Sequence, residues 1–255
     1  MISRYNAWLN NIALSEVNPD IYISDIEYEP TLSDENTYAI GKRDGQYSGR
    51  EKFVESNRII IYFEARAYKT ENRQRIVQDV ISWASKGGWL QCSDRVGQRI
   101  YVKPSKFPAV SSVMRWLDNL SVEFTAYDYP FWESTYPTTV TLENGATGSL
   151  FLPGVWRSFT ELNVLAASSV TDINVKVGNT ELILSGLTME SGDVLKLTYT
   201  DENHIMEIKH GQTSVLEKRT ANSDDDLIAE PGNNALEFTA NDSAFCTISI
   251  RGVWL

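Results

Sequence analysis

Cysteine and histidine each occur only twice in this 255-residue chain, and their scarcity argues against most metal and redox chemistry. A zinc site needs three or four donors converging at about 2.0–2.3 Å, and no CxxC, HExxH or comparable cluster accompanies His204 and His210. These two stand six apart in what reads as one strand, so they are expected on one face as solvent-exposed residues. Cys92 and Cys246 fall in different halves, each within an apolar, strand-like run, which predicts buried free thiols. No run reaches the ~18–20 apolar residues of a membrane span, and MISRYNAWLNNIALSE lacks the basic and apolar regions of an export signal. Catalytic signatures are equally scarce. There is no GxSxG elbow, GKRDG lacks the rest of a phosphate loop, and SDDD at 223–226 lacks the ligand spacing of a calcium loop. A glycosidase needs two carboxylates about 5–10 Å apart across a cleft, and 34 acidic residues single out no pair. The expectation is a protein that is not an enzyme and has no cofactor.

What the chain does have is an ordinary globular composition, 42% hydrophobic and 22% charged, so folding needs neither metal nor disulfide. At roughly 100–200 residues per domain, its length suits two domains or one large sandwich or barrel. The net charge of −11 is unevenly placed: residues 1–130 carry 16 Lys+Arg against 17 Asp+Glu, and residues 131–255 carry 7 against 17. An acidic second half repels phosphate and anionic lipid, which disfavours nucleic-acid grip and membrane adhesion for that half, while the lack of an apolar span argues against membrane insertion.

Along the first half, IYISDIEYE alternates with Ile21, Ile23 and Ile26 facing inward, as in a short strand. In TYAIGKRDGQYSGREKF, three glycines interrupt a run bearing Lys42, Arg43, Asp44, Arg50, Glu51 and Lys52, which reads as an exposed hairpin tip or an arm reaching a neighbouring subunit. RIIIYFEARAY is the strongest strand pattern, with Ile59, Ile61, Phe63, Ala65 and Ala67 on one side. The period then changes. Ile76, Val77, Val80, Ile81 and Ala84 recur at helical spacing, with Thr70 or Asn72 as the cap, Lys86 in the last turn, and Gly87 or Gly88 at the exit. Strand-like pieces return at WLQCS, RIYVKP and LSVEFTAYD.

The segment from Tyr127 to Pro137 carries prolines around aromatics and cannot continue a central strand. Tyr129, Pro130, Phe131 and Trp132 are the candidate packed junction between domains at 1–130 and 137–255. Beyond it the pattern is uniformly β, with eight short strands: TTVTLE, TELNVLA, TDINVKVG, TELILS, DVLKLTYT, HIMEIKH, ALEFTA and FCTISIRGVWL. Gly178-Asn179 reads as a two-residue primed hairpin turn, and TDEN, His210-Gly211 and PGNN mark further reversals. No second helix is visible. The fold class is therefore mainly β in two domains, a β-sandwich-like first domain with one helix and a second β-sandwich.

The order of these features, from the RDG hairpin through RIIIYFEARAY, ISWASKGGWL and SVEFTAYDYPFWE to SGDVLKLTYT, HGQTSVLEKRT, DDLIAEPGNNALEFTA and FCTISIRGVWL, resembles the siphophage distal tail protein (Dit) family over nearly the whole chain. The resemblance implies a galectin-like second domain and a homo-hexameric ring in the virion, at the tip of a long non-contractile tail. Such a ring is a hub joining the tail-tube protein to the tail-tip or baseplate and receptor-binding proteins, made in the cytoplasm of a bacterial host from a phage or prophage genome. It also turns the reading of the 41–52 hairpin toward inter-subunit contact. The alternative is a carbohydrate-binding β-sandwich of lectin type, in which tryptophans such as Trp156 or Trp254 stack on sugar rings. A shared galectin-like fold does not by itself imply sugar binding.

Overall fold

The computed structural model describes residues 5–32, 37–39, 46–48, 54–65, 70–108, 117–202 and 204–255. It divides into two compact units, Met1–Phe131 and Trp132–Leu255. In the first, β1 (Ala7–Leu9) turns into β2 (Ile12–Ala13), and a four-residue α1 (Leu14–Val17) leads to the long β3 (Ile21–Leu32). Then follow β4 (Thr37–Ala39), β5 (Gln46–Ser48), β6 (Val54–Ala65), α2 (Thr70–Ala84), β7 (Gly88–Cys92), β8 (Gln98–Lys106) and β9 (Leu117–Ala126). Apart from β4 and β5, which pair with each other, the strands form one antiparallel sheet in the order β2-β1-β7-β8-β9-β6-β3.

A single bridge joins strands near the two ends of this order. Tyr5, just before β1, bridges Ile23 in β3, while the neighbouring Asn6 carbonyl accepts from the Ser93 amide. Register breaks at Ile23/Asp25, Phe63/Ala65 and Pro104/Lys106 supply the bends. The first break also explains the irregular spacing of the β3 isoleucines. Ile21 and Ile23 are inward by alternation, the bulge shifts the phase by one, and Ile26 is buried with them. On β6, Ile59, Ile61, Phe63 and Ala65 face the core as the alternation requires.

α2 lays Ile76, Val77, Val80 and Ala84 into the core, with Ile81 half-buried. Trp83 belongs to the same buried stripe, edge-on to Phe124 at 5.9 Å, and its indole N–H donates to the Ile12 carbonyl at 2.9 Å. The helix ends differ from expectation: Thr70 is its first residue, Asn72 lies inside it, and Lys86 lies beyond Ala84. Gly87 makes the left-handed exit at φ +61°, its amide donating to Ala84.

The second unit contains β10 (Trp132–Ser134), β11 (Thr138–Glu143), β12 (Thr147–Leu152), β13 (Ser158–Phe159), β14 (Glu161–Ala166), β15 (Val170–Val177), β16 (Thr180–Met189), β17 (Val194–Tyr199), β18 (Met206–His210) and β19 (Thr213–Ser214). After a 3₁₀ turn at Leu216–Lys218 come β20 (Ile228–Ala229), β21 (Gly232–Ala240), β22 (Ala244–Ile250) and β23 (Val253–Trp254). Two antiparallel sheets, β11-β22-β14-β17-β18-β19 and β12-β21-β15-β16, enclose one apolar core. That is a β-sandwich.

All eight strand segments read from the sequence occur here, and Val177 pairs with Thr180 across Gly178-Asn179, with Gly178 at φ +57°. Glycine first and a negative φ second is the II′ arrangement. β12 is an addition, because the glycines of ENGATGSLFLPG mask a strand whose Leu150 and Leu152 are buried. His204 is a correction. It stands outside β18 at φ +51°, in the reversal where its amide donates to the Thr200 carbonyl, so the two histidines do not share a strand.

Candidate interaction surfaces

The candidate contact residues Lys42, Arg43, Asp44, Arg50, Glu51 and Lys52 lie outside the described residues. What is described is the ladder on either side of 40–45, in which Thr37, Tyr38 and Ala39 pair with Ser48, Tyr47 and Gln46. The junction residues are described. Tyr129 and Phe131 meet edge-on at 5.2 Å, and the carbonyl of buried Pro130 accepts from Asn57 Nδ2 at 3.3 Å. Trp132 opens the second unit: it is fully buried and pairs with Trp254, while Glu133 pairs with Val253. Arg251 secures this start by donating to the carbonyls of Ser134 and Thr135 at 3.0 and 2.7 Å.

A charged network crosses the outward side of the first unit's sheet. The Arg58 guanidinium on β6 donates to Glu29 Oε2 on β3 and Glu123 Oε2 on β9, each at 2.6 Å, and Lys106 on β8 donates to Glu123 Oε1 at 2.8 Å. The Glu123 side chain is only 8% exposed. Burial opposes its ionisation, but the hydrogen bonds from Lys106 and Arg58 outweigh it and hold the carboxyl below its ordinary range. Glu123 thereby ties β6, β8 and β9 together, and Arg58 adds β3 through Glu29. Neither Arg58 nor Glu123 stood out in the sequence, although both fall on the polar phase of strongly alternating strands.

Among the described residues, the remaining titratable groups do not converge on a reaction centre. His210 Nε2 lies 3.0 Å from Asp193 Oδ2, and Asp193 is held low first by the Glu190 amide and then by His210. Both histidines are half-buried, not exposed as the sequence reading held. Cys92 and Cys246 are buried free thiols, each pushed up to about 12 chiefly by burial. An open cleft of about 440 Å³ next to Cys92 is lined by Trp8, Asn11, Gln91, Arg95, Val96 and Gln98 among others, and offers amides and one guanidinium without an activated nucleophile. Among the described residues no three His, Cys, Asp or Glu side chains are grouped to hold a metal, and no helix is long and apolar enough to cross a membrane.

The acidic run at 223–226 has a structural use. Asp224 Oδ2 accepts from the Glu181 amide at 2.7 Å, Ser223 Oγ from the Ile183 amide at 2.7 Å, and Asp225 pairs with Arg219 at 3.0 Å. Asp224 and Asp225 are both exposed, the Asp225 side chain at 94%.

No family model matches the chain, and no curated protein does. Solved structures do. The Dit protein of phage SPP1, described as a paradigm of the hub of the adsorption apparatus in phages infecting Gram-positive bacteria, matches with a TM-score of 0.70 at 11% identity. The match covers 98% of this chain and 99% of that one. A chain of the phage P2 baseplate in its activated, calcium-containing conformation matches with a TM-score of 0.53 at 10% identity, covering 99% and 98%. At these identities the likeness is one of fold. Over nearly its whole length, this chain has the fold of SPP1 Dit.

Proposed function

We propose that this protein is a structural component of a siphophage or prophage virion, a distal tail protein whose six copies form a ring at the tail tip. The ring joins the last tail-tube ring to the baseplate and receptor-binding proteins. The observation that carries this reading is the end-to-end match to SPP1 Dit, which leaves almost no residue of either chain outside the common fold. In this assignment the helix-bearing first unit builds the ring, through residues that include the 41–52 hairpin, and the acidic galectin-like unit faces solvent and partners. The charge split supports it, since residues 1–130 are nearly neutral and can pack against copies of themselves, while residues 131–255 carry the excess acid.

Light scattering coupled to size exclusion, with negative-stain imaging, tests the ring. The expected result is a particle of six times the chain mass with six-fold symmetry. A strictly monomeric protein at all accessible concentrations would overturn the proposal.

A further inference from the structure

The four-stranded sheet of the second unit has two edge strands, β16 and β12, and they are treated in opposite ways. Along β16, the Thr220 amide donates to the Ile183 carbonyl at 3.0 Å and the Asp224 amide to the Glu181 carbonyl at 2.9 Å. Ser223 and Asp224 side chains accept from the matching amides, and Arg219 bridges Leu184. That edge is covered. β12 pairs only with β21, in unbroken register from Thr147↔Glu237 to Leu152↔Gly232, and among the described residues no backbone group meets its outer side.

Exposed edges are ordinarily blunted by lysine, proline or a bulge, because their unpaired amides and carbonyls are a template for another strand. β12 carries none of these. Residues 144–156 have no charge at all, in a half with 24 charged side chains. Thr147, Ser149 and Phe151 lie on its solvent face, with Phe151 60% exposed and Val155, just beyond, 67% exposed.

We propose that β12 is a docking edge that takes an extended, neutral-to-basic segment of a different protein as an added strand. Backbone pairing supplies the affinity and the flanking side chains supply the choice. At the Thr147 end stand two exposed carboxylates, Glu237 directly opposite and Glu143 at the head of the turn into β12. The other end presents Phe151 and Val155. The segment therefore carries lysine or arginine at one end and an apolar residue at the other. A second copy is disfavoured as occupant, since it brings the same acidic unit, 7 Lys+Arg against 17 Asp+Glu, to the contact.

The probe is a fluorescein-labelled peptide of about six residues, alternating threonine and valine, with lysine at one end or, in a second version, the other. Titrated into the full-length protein, one version is expected to bind saturably and to protect the amides of 147–152 from hydrogen exchange. Phe151→Lys and, separately, Ser149→Lys should weaken binding about tenfold or more while leaving the circular dichroism unchanged. Methylating alternate peptide amides should abolish it. The proposal is overturned by absence of saturable binding up to about 1 mM, by equal binding of the methylated peptide, or by protection elsewhere. Self-association that Phe151→Lys abolishes would overturn the choice of occupant. None of these readouts depends on ring formation, so this inference and the ring can fail separately.

Discussion

Asn234 closes the reversal between β20 and β21 from inside. Its Oδ1 accepts from the Glu230 amide at 2.9 Å, its Nδ2 donates to the carbonyls of Glu230 and Gly232 at 2.8 and 3.1 Å, and the residue is only 3% exposed. Asn234→Ala removes three part-buried hydrogen bonds of this turn, which costs roughly 1–3 kcal/mol and should appear as a lower midpoint in urea with an unchanged slope. PGNN was legible as a turn because glycine, asparagine and proline favour reversals, but composition does not say that one asparagine is buried and working inward. Glu123 makes a second residue-scale prediction. Its folded pKa is depressed, so its contribution is fully present above the unfolded value of about 4.3 and is lost as pH falls through the lower folded value. Glu123→Gln should reduce stability more at about pH 7 than at about pH 3, measured by urea unfolding at both. Arg58 and Lys106 are 40% and 64% exposed, so solvent screening keeps the loss modest. The thiols of Cys92 and Cys246, predicted buried from the apolar runs around them, should resist a disulfide reagent at about pH 8 until denaturant is added, because both titrate near 12.

Among the elements, what could be read in advance followed from periodicity, and what could not depended on the partner strand. The stripe Ile76-Val77-Val80-Ala84 located α2, and alternation located β6, because those patterns are local. The bulge in β3 is not local: Ile26 is out of phase with Ile21 and Ile23 until the pairing with β6 supplies the extra residue. β12 was missed for the same reason, since its glycine-rich sequence becomes a strand only beside β21, where Gly148 leaves room for the Leu142 side chain. Gly87 gives a sharp test of the α2 exit. A Cβ there would come within 2.4 Å of the Val102 carbonyl oxygen while the backbone sits at φ +61°. Gly87→Ala combines a left-handed strain of about 1–3 kcal/mol with that clash, so a thermal scan should show a lower midpoint for the first unit's transition.

For the whole molecule, the change of pattern between Tyr127 and Pro137 was visible in the sequence, and the boundary between the two units falls inside that stretch. Phe131 ends one unit and Trp132 begins the next. The expected second domain began at Pro137, because prolines and aromatics broke the strand pattern there and nothing in the local sequence reveals a partner more than a hundred residues away. In the structure that partner is β23: Trp132 and Glu133 pair with Trp254 and Val253, the Gly252 amide donates to Ser134 Oγ at 2.7 Å, and Arg251 caps the Ser134 and Thr135 carbonyls. A fragment starting at Trp132 keeps this ladder, whereas one starting at Pro137 removes the buried Trp132 and leaves Arg251 and β23 without their partners. The fragment 132–255 should therefore unfold cooperatively with native-like near-ultraviolet dichroism, and the fragment 137–255 should melt markedly lower or fail to fold. Equal stability of the two would show that the β10–β23 pairing contributes nothing to the second unit and that the domain begins where the sequence pattern alone placed it.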